Sequence, residues 1–185
     1  MPMAVGLLVV GLLPAICEEG VYRGIFYHEY RKVSIRKAIV VSGLLFGVLH
    51  MNINQFAYAV LLGMVFALVV EVTGSIISSV ICHFIINATS VVASYHITQE
   101  VASKQVNKAE LISMLPAYVL PALIGIAISI VLIRLMAMSE GRTEQLEEIL
   151  NKTERTEKEK QKIITIPLAL TILFCIILMI QAELM

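Results

Sequence analysis

Seven side chains capable of chemistry or charge pairing interrupt segments that are otherwise apolar. They are Glu18, Glu19 and Arg23 in the first segment, His50 and Asn54 in the second, and His83 and Asn87 in the fourth. An ionisable group at the centre of a transmembrane helix costs about 2.5 to 3.5 kcal/mol on insertion scales, so each needs a reason. Glu19 and Arg23 are four residues apart, stack on one helical face and can pair, which lowers the cost of burying both. Glu18 is rotated by about 100° from Glu19, points elsewhere and shares its face with Tyr22. Phe46, His50 and Asn54 recur at i, i+4 and i+8, and Ser79, His83 and Asn87 do the same. A carboxylate, two imidazoles and a carboxamide gathered in one place suit hydrolysis. The carboxylate takes a proton from water while the others orient that water or stabilise an oxyanion. Glu18, His50 and His83 can equally be read as ligands of one divalent metal such as zinc, with an open coordination position.

The elements that must position these groups are membrane helices. Of the 185 residues 58% are apolar and 15% charged, and the mean hydropathy is +0.87, outside the range of ordinary soluble domains. A helix needs about 20 mainly apolar residues to cross the hydrocarbon core. That length selects six segments, approximately 3–29, 38–54, 56–73, 75–97, 111–137 and 163–183, so an all-α polytopic bundle of about six transmembrane helices is expected. Residues 1–138 would form the core, 139–162 a charged cytoplasmic segment and 163–185 a last transmembrane helix. The second and third segments are short for two full crossings, which allows their Asn-rich turn to stop below the outer surface, enclosed by protein or by a water-filled cavity. Gly43 and Gly47 form a small-xxx-small pair suited to close helix packing.

Depth brings the polar groups to one level. At about 1.5 Å per residue, Glu18 lies roughly 18 Å above Tyr30, His50 roughly 18 Å above Ala38 and His83 roughly 12 Å above Ser75. Placing the N-terminus outside leaves Lys104 and Lys108 outside and sends Arg31, Lys32, Arg36, Lys37, Arg142 and the basic residues up to Lys162 to the cytoplasm, as the positive-inside rule favours. Ser139 to Lys162 holds six Lys or Arg and seven Glu. Glu148 with Lys152, Glu154 with Lys158, and the weak stripe Leu146, Ile149 and Leu150 suggest a solvated helix there. His28 and His96 fall near segment ends, and Glu71 beside a cytoplasmic turn is expected to be solvated. The first apolar run continues into Glu18 and Glu19 with no leader-type cleavage site, so Met1 to Tyr30 reads as a retained helix. Cys17, Cys82 and Cys175 fit no metal or redox spacing and read as free buried thiols.

Other protease chemistries find no support. The chain has no aspartate, no HExxH and no GxSxG elbow, which excludes a two-aspartate site and leaves the usual zinc-protease helix and serine nucleophile unsupported. Glutamate-centred chemistry remains.

Three motifs then carry a resemblance. Glu18-Glu19-Gly20-Val21-Tyr22-Arg23 resembles the EExxxR motif, Phe46-Gly47-Val48-Leu49-His50 the FxxxH motif and His83-Phe84-Ile85-Ile86-Asn87 the HxxxN motif of the CPBP family, the type II CAAX prenyl endopeptidases and their bacterial relatives, also called Abi proteins. The motifs occur in the right order on separate segments within about residues 3 to 97. The resemblance implies Glu18 as general base, His50 as a holder of the attacking water, and His83 and Asn87 as stabilisers of the tetrahedral oxyanion. Glu19 and Arg23 would brace the site, Phe46 belongs to its motif, and Asn54 would add a hydrogen bond one turn beyond His50. It further implies an integral membrane enzyme, in a bacterial plasma membrane, that takes a peptide or membrane-protein substrate from the bilayer. Members have been described as metalloproteases, but a metal-free glutamate mechanism without cofactor is the expectation here. Members usually carry further helices before the first motif, and residues 139–185 match no family motif. The competing expectations are a non-proteolytic membrane protein, such as a bacteriocin-immunity factor or scaffold, and, more remotely, an ion transporter.

Overall fold

The computed structural model describes residues 2–96, 108–151 and 164–184 and is helical throughout its regular parts. Helix α1 (Met3–Tyr30) is one 28-residue rod. It contains two wide π-helical turns, Leu7–Leu12 and Tyr22–Tyr27, on either side of the α-helical Leu13–Val21 that bears Glu18 and Glu19. Pro14 lacks an N–H for the carbonyl of Val10 and its ring crowds that oxygen, so a widened turn just before it relieves the clash. The rest of the first half consists of α2 (Ile35–Val48), α3 (Ile53–Thr73) and α4 (Ile76–His96). The second half consists of α5 (Lys108–Ser139), the short α6 (Thr143–Leu150) and α7 (Ile166–Leu184).

Local chemistry sets the turns. Ser34 caps α2, accepting from the Lys37 amide at 3.5 Å. Asn52 caps α3, its Oδ1 accepting from the amides of Asn54 at 2.9 Å and Gln55 at 3.2 Å. Gly74 ends α3 in the left-handed conformation, φ 68°, that favours glycine. Met51 also turns left-handed, φ 49°, so the chain reverses there.

Among the described residues five helices are long and apolar enough to cross a membrane, which fits the expected polytopic bundle. The second segment is short, as expected: the 14 residues of α2 reach only about 21 Å at the helical rise. One expectation is corrected by these turns. The reversal at Met51 places Asn54 on α3, so it does not extend the face of Phe46 and His50.

Packing of α2 on α3 forms the centre. A Cβ on Gly43 would stand 2.5 Å from Met64 and 2.8 Å from the Val60 carbonyl oxygen, and one on Gly47 would stand 2.4 Å from Val60. The small-xxx-small pair therefore lets two backbones touch, as its spacing suggests. Tyr22, Phe46, Phe66 and Val48 fill the core beside this contact, and Ile172 of α7 closes it from the side. Among its described side chains, helix α5 leaves its apolar surface largely uncovered and packs near its end, where Ala137 meets Val72 and Leu146.

Glu71 departs from its expected solvated state. It is 1% exposed, accepting from the Tyr27 hydroxyl at 2.5 Å and from Arg31 Nη2 at 2.8 Å. Arg142 Nη1 donates to its backbone carbonyl at 3.0 Å. The carboxylate thus ties the foot of α1 to the foot of α3, and the α5–α6 junction closes over it. Residues 139–151 are consequently docked on the bundle: Leu146 is buried, Ile149 packs against the cluster of Tyr27, Ala38, Ile39 and Ala67, and Arg36 donates to the Glu148 carbonyl. The pairs involving Lys152, Glu154 and Lys158 lie outside the described residues.

Two stability measurements in detergent follow. Gly43→Ala should lose about 1 to 3 kcal/mol of unfolding free energy by overpacking, whereas Gly125→Ala, with nothing within 4 Å, should lose nothing; equal midpoints would contradict the tight α2–α3 contact. Glu71→Leu should cost about 1 to 3 kcal/mol by stranding the Tyr27 hydroxyl and Arg31, and an unchanged unfolding midpoint would show that the foot of the bundle does not depend on this carboxylate.

Candidate active site

The site starts from Arg23, which is 1% exposed and lies in the middle of the bundle. Its Nη1 donates to Glu19 Oε1 at 3.1 Å and its Nη2 to the Gly63 carbonyl at 2.7 Å. Three aromatic rings surround the guanidinium: Phe46 at 4.7 Å, Phe66 at 5.3 Å and Tyr22 at 5.8 Å. Weakly hydrated and planar, an arginine suits such a lining better than a lysine would. Gly63 permits the approach, since a Cβ there would press on Gly43 and on Arg23 itself.

Glu19 carries the contact onward. Its Oε1 also receives His83 Nδ1 at 2.9 Å, so one carboxylate oxygen joins α1 to α4. A carboxylate can only accept, hence Nδ1 bears the hydrogen and Nε2 is the nitrogen left for other work. That Nε2 lies 4.0 Å from Glu18 Oε2. Glu18 remains one-third exposed on its side chain, in contrast to the fully buried Glu19.

His83 is held by rings as well. Phe66 stacks on it at 5.1 Å with 21° between planes, and Phe46 meets it edge-on at 5.6 Å. Phe46 also touches His50 at 4.8 Å. His50 sits in the turn just beyond α2 and its Nδ1 contacts the Phe46 carbonyl at 2.7 Å. Because a carbonyl only accepts, this Nδ1 donates and Nε2 presents a lone pair.

A cavity of about 330 Å³ opens beside these groups. His50, His83 and Asn87 supply polar walls with Gln55, Tyr58 and Ser90, and Phe46, Leu62 and Phe66 are among the apolar ones. Glu18 is not among its lining residues and reaches it through His83. The structure therefore brings Glu18, Glu19, Arg23, Phe46 and His83 into one contact network, and places His50, His83 and Asn87 on one cavity. Asn54 is not brought in: its amide lies 3.5 Å from Glu183 Oε2 at the far end of α7. His28 and His96 are both exposed.

Among the described residues no three His, Cys, Asp or Glu side chains are grouped to hold an ion. The Nδ1 atoms of His50 and His83 are both engaged within the protein, which leaves Nε2 as the nitrogen that each ring can offer to a further partner. Sequence reasoning missed Phe66, Gly63, Gln55 and Tyr58. Gly63 had a faint signal in facing the glycine pair of α2, whereas an aromatic residue in an apolar helix offers none.

Neither a curated protein nor a solved structure matches this chain. A family model described as type II CAAX prenyl endopeptidase Rce1-like matches residues 1–89, the stretch that holds all three motifs and every contact of the network just described. With its membrane helices and its buried Glu19–Arg23–His83 connection, this integral membrane protein is similar over residues 1–89 to the Rce1-like family of type II CAAX prenyl endopeptidases.

Proposed function

We propose that the chain is a glutamate-dependent intramembrane endopeptidase that hydrolyses a peptide bond of a membrane-associated protein or peptide, with its N-terminus outside. The observation that carries this reading is the position of His83, with Nδ1 bonded to Glu19 and Nε2 4.0 Å from Glu18, on a cavity shared with His50 and Asn87. A gap of that size suits one water molecule bridging acid and ring.

Glu18 takes a proton from that water as its oxygen attacks the carbonyl carbon of the substrate, and the carbonyl electron pair moves onto oxygen. His50 accepts a hydrogen bond from the water through Nε2. The Asn87 amide donates to the oxyanion, and His83 donates through Nε2 when that nitrogen is protonated. As the carbon–nitrogen bond breaks, the proton held by Glu18 passes to the departing amine. Glu19 and Arg23 touch no substrate in this scheme and hold His83 in place. No step in this scheme uses a metal ion.

The substrate class follows from family and cavity together. A prenylated peptide of CAAX type is the first probe, because the matched family is one of prenyl endopeptidases. In proteoliposomes, Glu18→Gln should lower cleavage by about 10²- to 10⁴-fold and Asn87→Ala by about 10²- to 10³-fold. Glu29→Gln, at an exposed position, should cleave like the unaltered chain. Full turnover by Glu18→Gln would end the mechanism. If the probe is not cut, comparison of membrane and secreted peptides from cells carrying the chain or its Glu18→Gln variant identifies the substrate, and identical profiles would favour a non-proteolytic role. A chelator should leave turnover unchanged, and loss of activity restored by added zinc would overturn the metal-free scheme.

A further inference from the structure

We propose that Phe66 is a positioning residue for His83, a role that rests on the protease reading but can be tested apart from it. Phe66 is 1% exposed in the middle of α3 and lies outside all three motifs. Its ring stacks on the His83 imidazole at 5.1 Å and 21°, and it also stands 5.3 Å from the Arg23 guanidinium. It is therefore in contact with the ring whose Nε2 faces Glu18 and with the cation that holds Glu19.

A hydrogen bond from Nδ1 to Glu19 pins one nitrogen of the imidazole but not its plane. The χ2 torsion of histidine is broad, so a ring held at Nδ1 alone can pivot and carry Nε2 away from Glu18. A flat neighbour removes that freedom, because an offset-stacked pair is favoured at one orientation. Phe66 provides the flat wall, and Phe46, meeting the same imidazole edge-on at 77°, closes the other approach. Hydrogen bond and stack together set the 4.0 Å separation of Nε2 and Glu18 Oε2. An aliphatic side chain at position 66 fills space without fixing a plane.

The experiment compares Phe66→Leu, Phe66→Tyr and Phe56→Leu in the full chain. Phe56 is a partly buried ring on the same helix that packs on the same core. In proteoliposomes with a cleavable peptide, Phe66→Leu should lower kcat on the order of 10- to 100-fold, with KM moving by about twofold or less. Phe66→Tyr keeps the plane and should restore kcat, and Phe56→Leu should leave it intact. If Phe66→Leu does not fold, Phe66→Met takes its place. Nitrogen-15 spectra of labelled histidine, with the His83 signals identified by their loss in His83→Gln, supply the independent reading. They should show one tautomer protonated at Nδ1 in the unaltered chain and averaged Nδ1 and Nε2 signals in Phe66→Leu. A kcat equal to that of Phe56→Leu, a raised KM at unchanged kcat, or His83 signals unmoved by Phe66→Leu would overturn the proposal. Should no peptide be cut by the unaltered chain while the His83 signals respond as stated, the protease reading fails and the positioning role stands.

Discussion

Burial of the Glu19–Arg23 pair is the constraint around which the first four helices are arranged. Each charge alone would be expelled from such an environment, and breaking a buried pair by removing one partner costs about 3 to 5 kcal/mol because the other is left uncompensated. The pair is therefore enclosed on every side: Gly63 offers its carbonyl to the guanidinium, and three rings line it. Those demands explain why α2 and α3 approach through glycines. Without Gly43 and Gly63 at the contact, neither the backbone carbonyl nor the aromatic lining could come so near to Arg23.

From that pair the order of the site propagates outward. Glu19 uses a single oxygen for both Arg23 and His83, so the cation of α1 and the imidazole of α4 are oriented by the same atom. The adjacent Glu18 is then free of structural duty. Two neighbouring carboxylates in one helix receive opposite surroundings, one sealed and paired, the other partly open beside a cavity wall, and environments that differ in this way separate supporting groups from reactive ones.

Much of this was legible in the residues themselves. The i,i+4 spacing of Glu19 and Arg23 shows a pair before any coordinates, and polar groups in apolar segments mark three helices as neighbours. The glycine spacing in α2 likewise announces a close helix contact. Asn54 misled because periodicity was carried through a turn: the reversal at Met51 depends on the Asn52 cap, which is a local hydrogen-bond choice and leaves no trace in hydrophobic spacing. Glu71 misled because its position at a helix foot among basic residues looks wet, whereas Tyr27 and Arg31 converge on it only once α1 and α3 lie side by side. Phe66 was invisible because an aromatic ring in an apolar helix is ordinarily filler, and its stacking on His83 is a tertiary fact.

The brevity of α2 has a physical consequence for the surrounding lipid. A helix of 14 residues falls several ångströms short of a hydrocarbon slab about 30 Å thick, and the turn that follows it bears His50, Met51 and Asn52, whose polar groups lipid tails cannot satisfy. Lipids beside that turn must compress or give way to headgroups and solvent, a mismatch cost of fractions of a kcal/mol per ångström. A bilayer thinned beside that turn would shorten the path of water to His50.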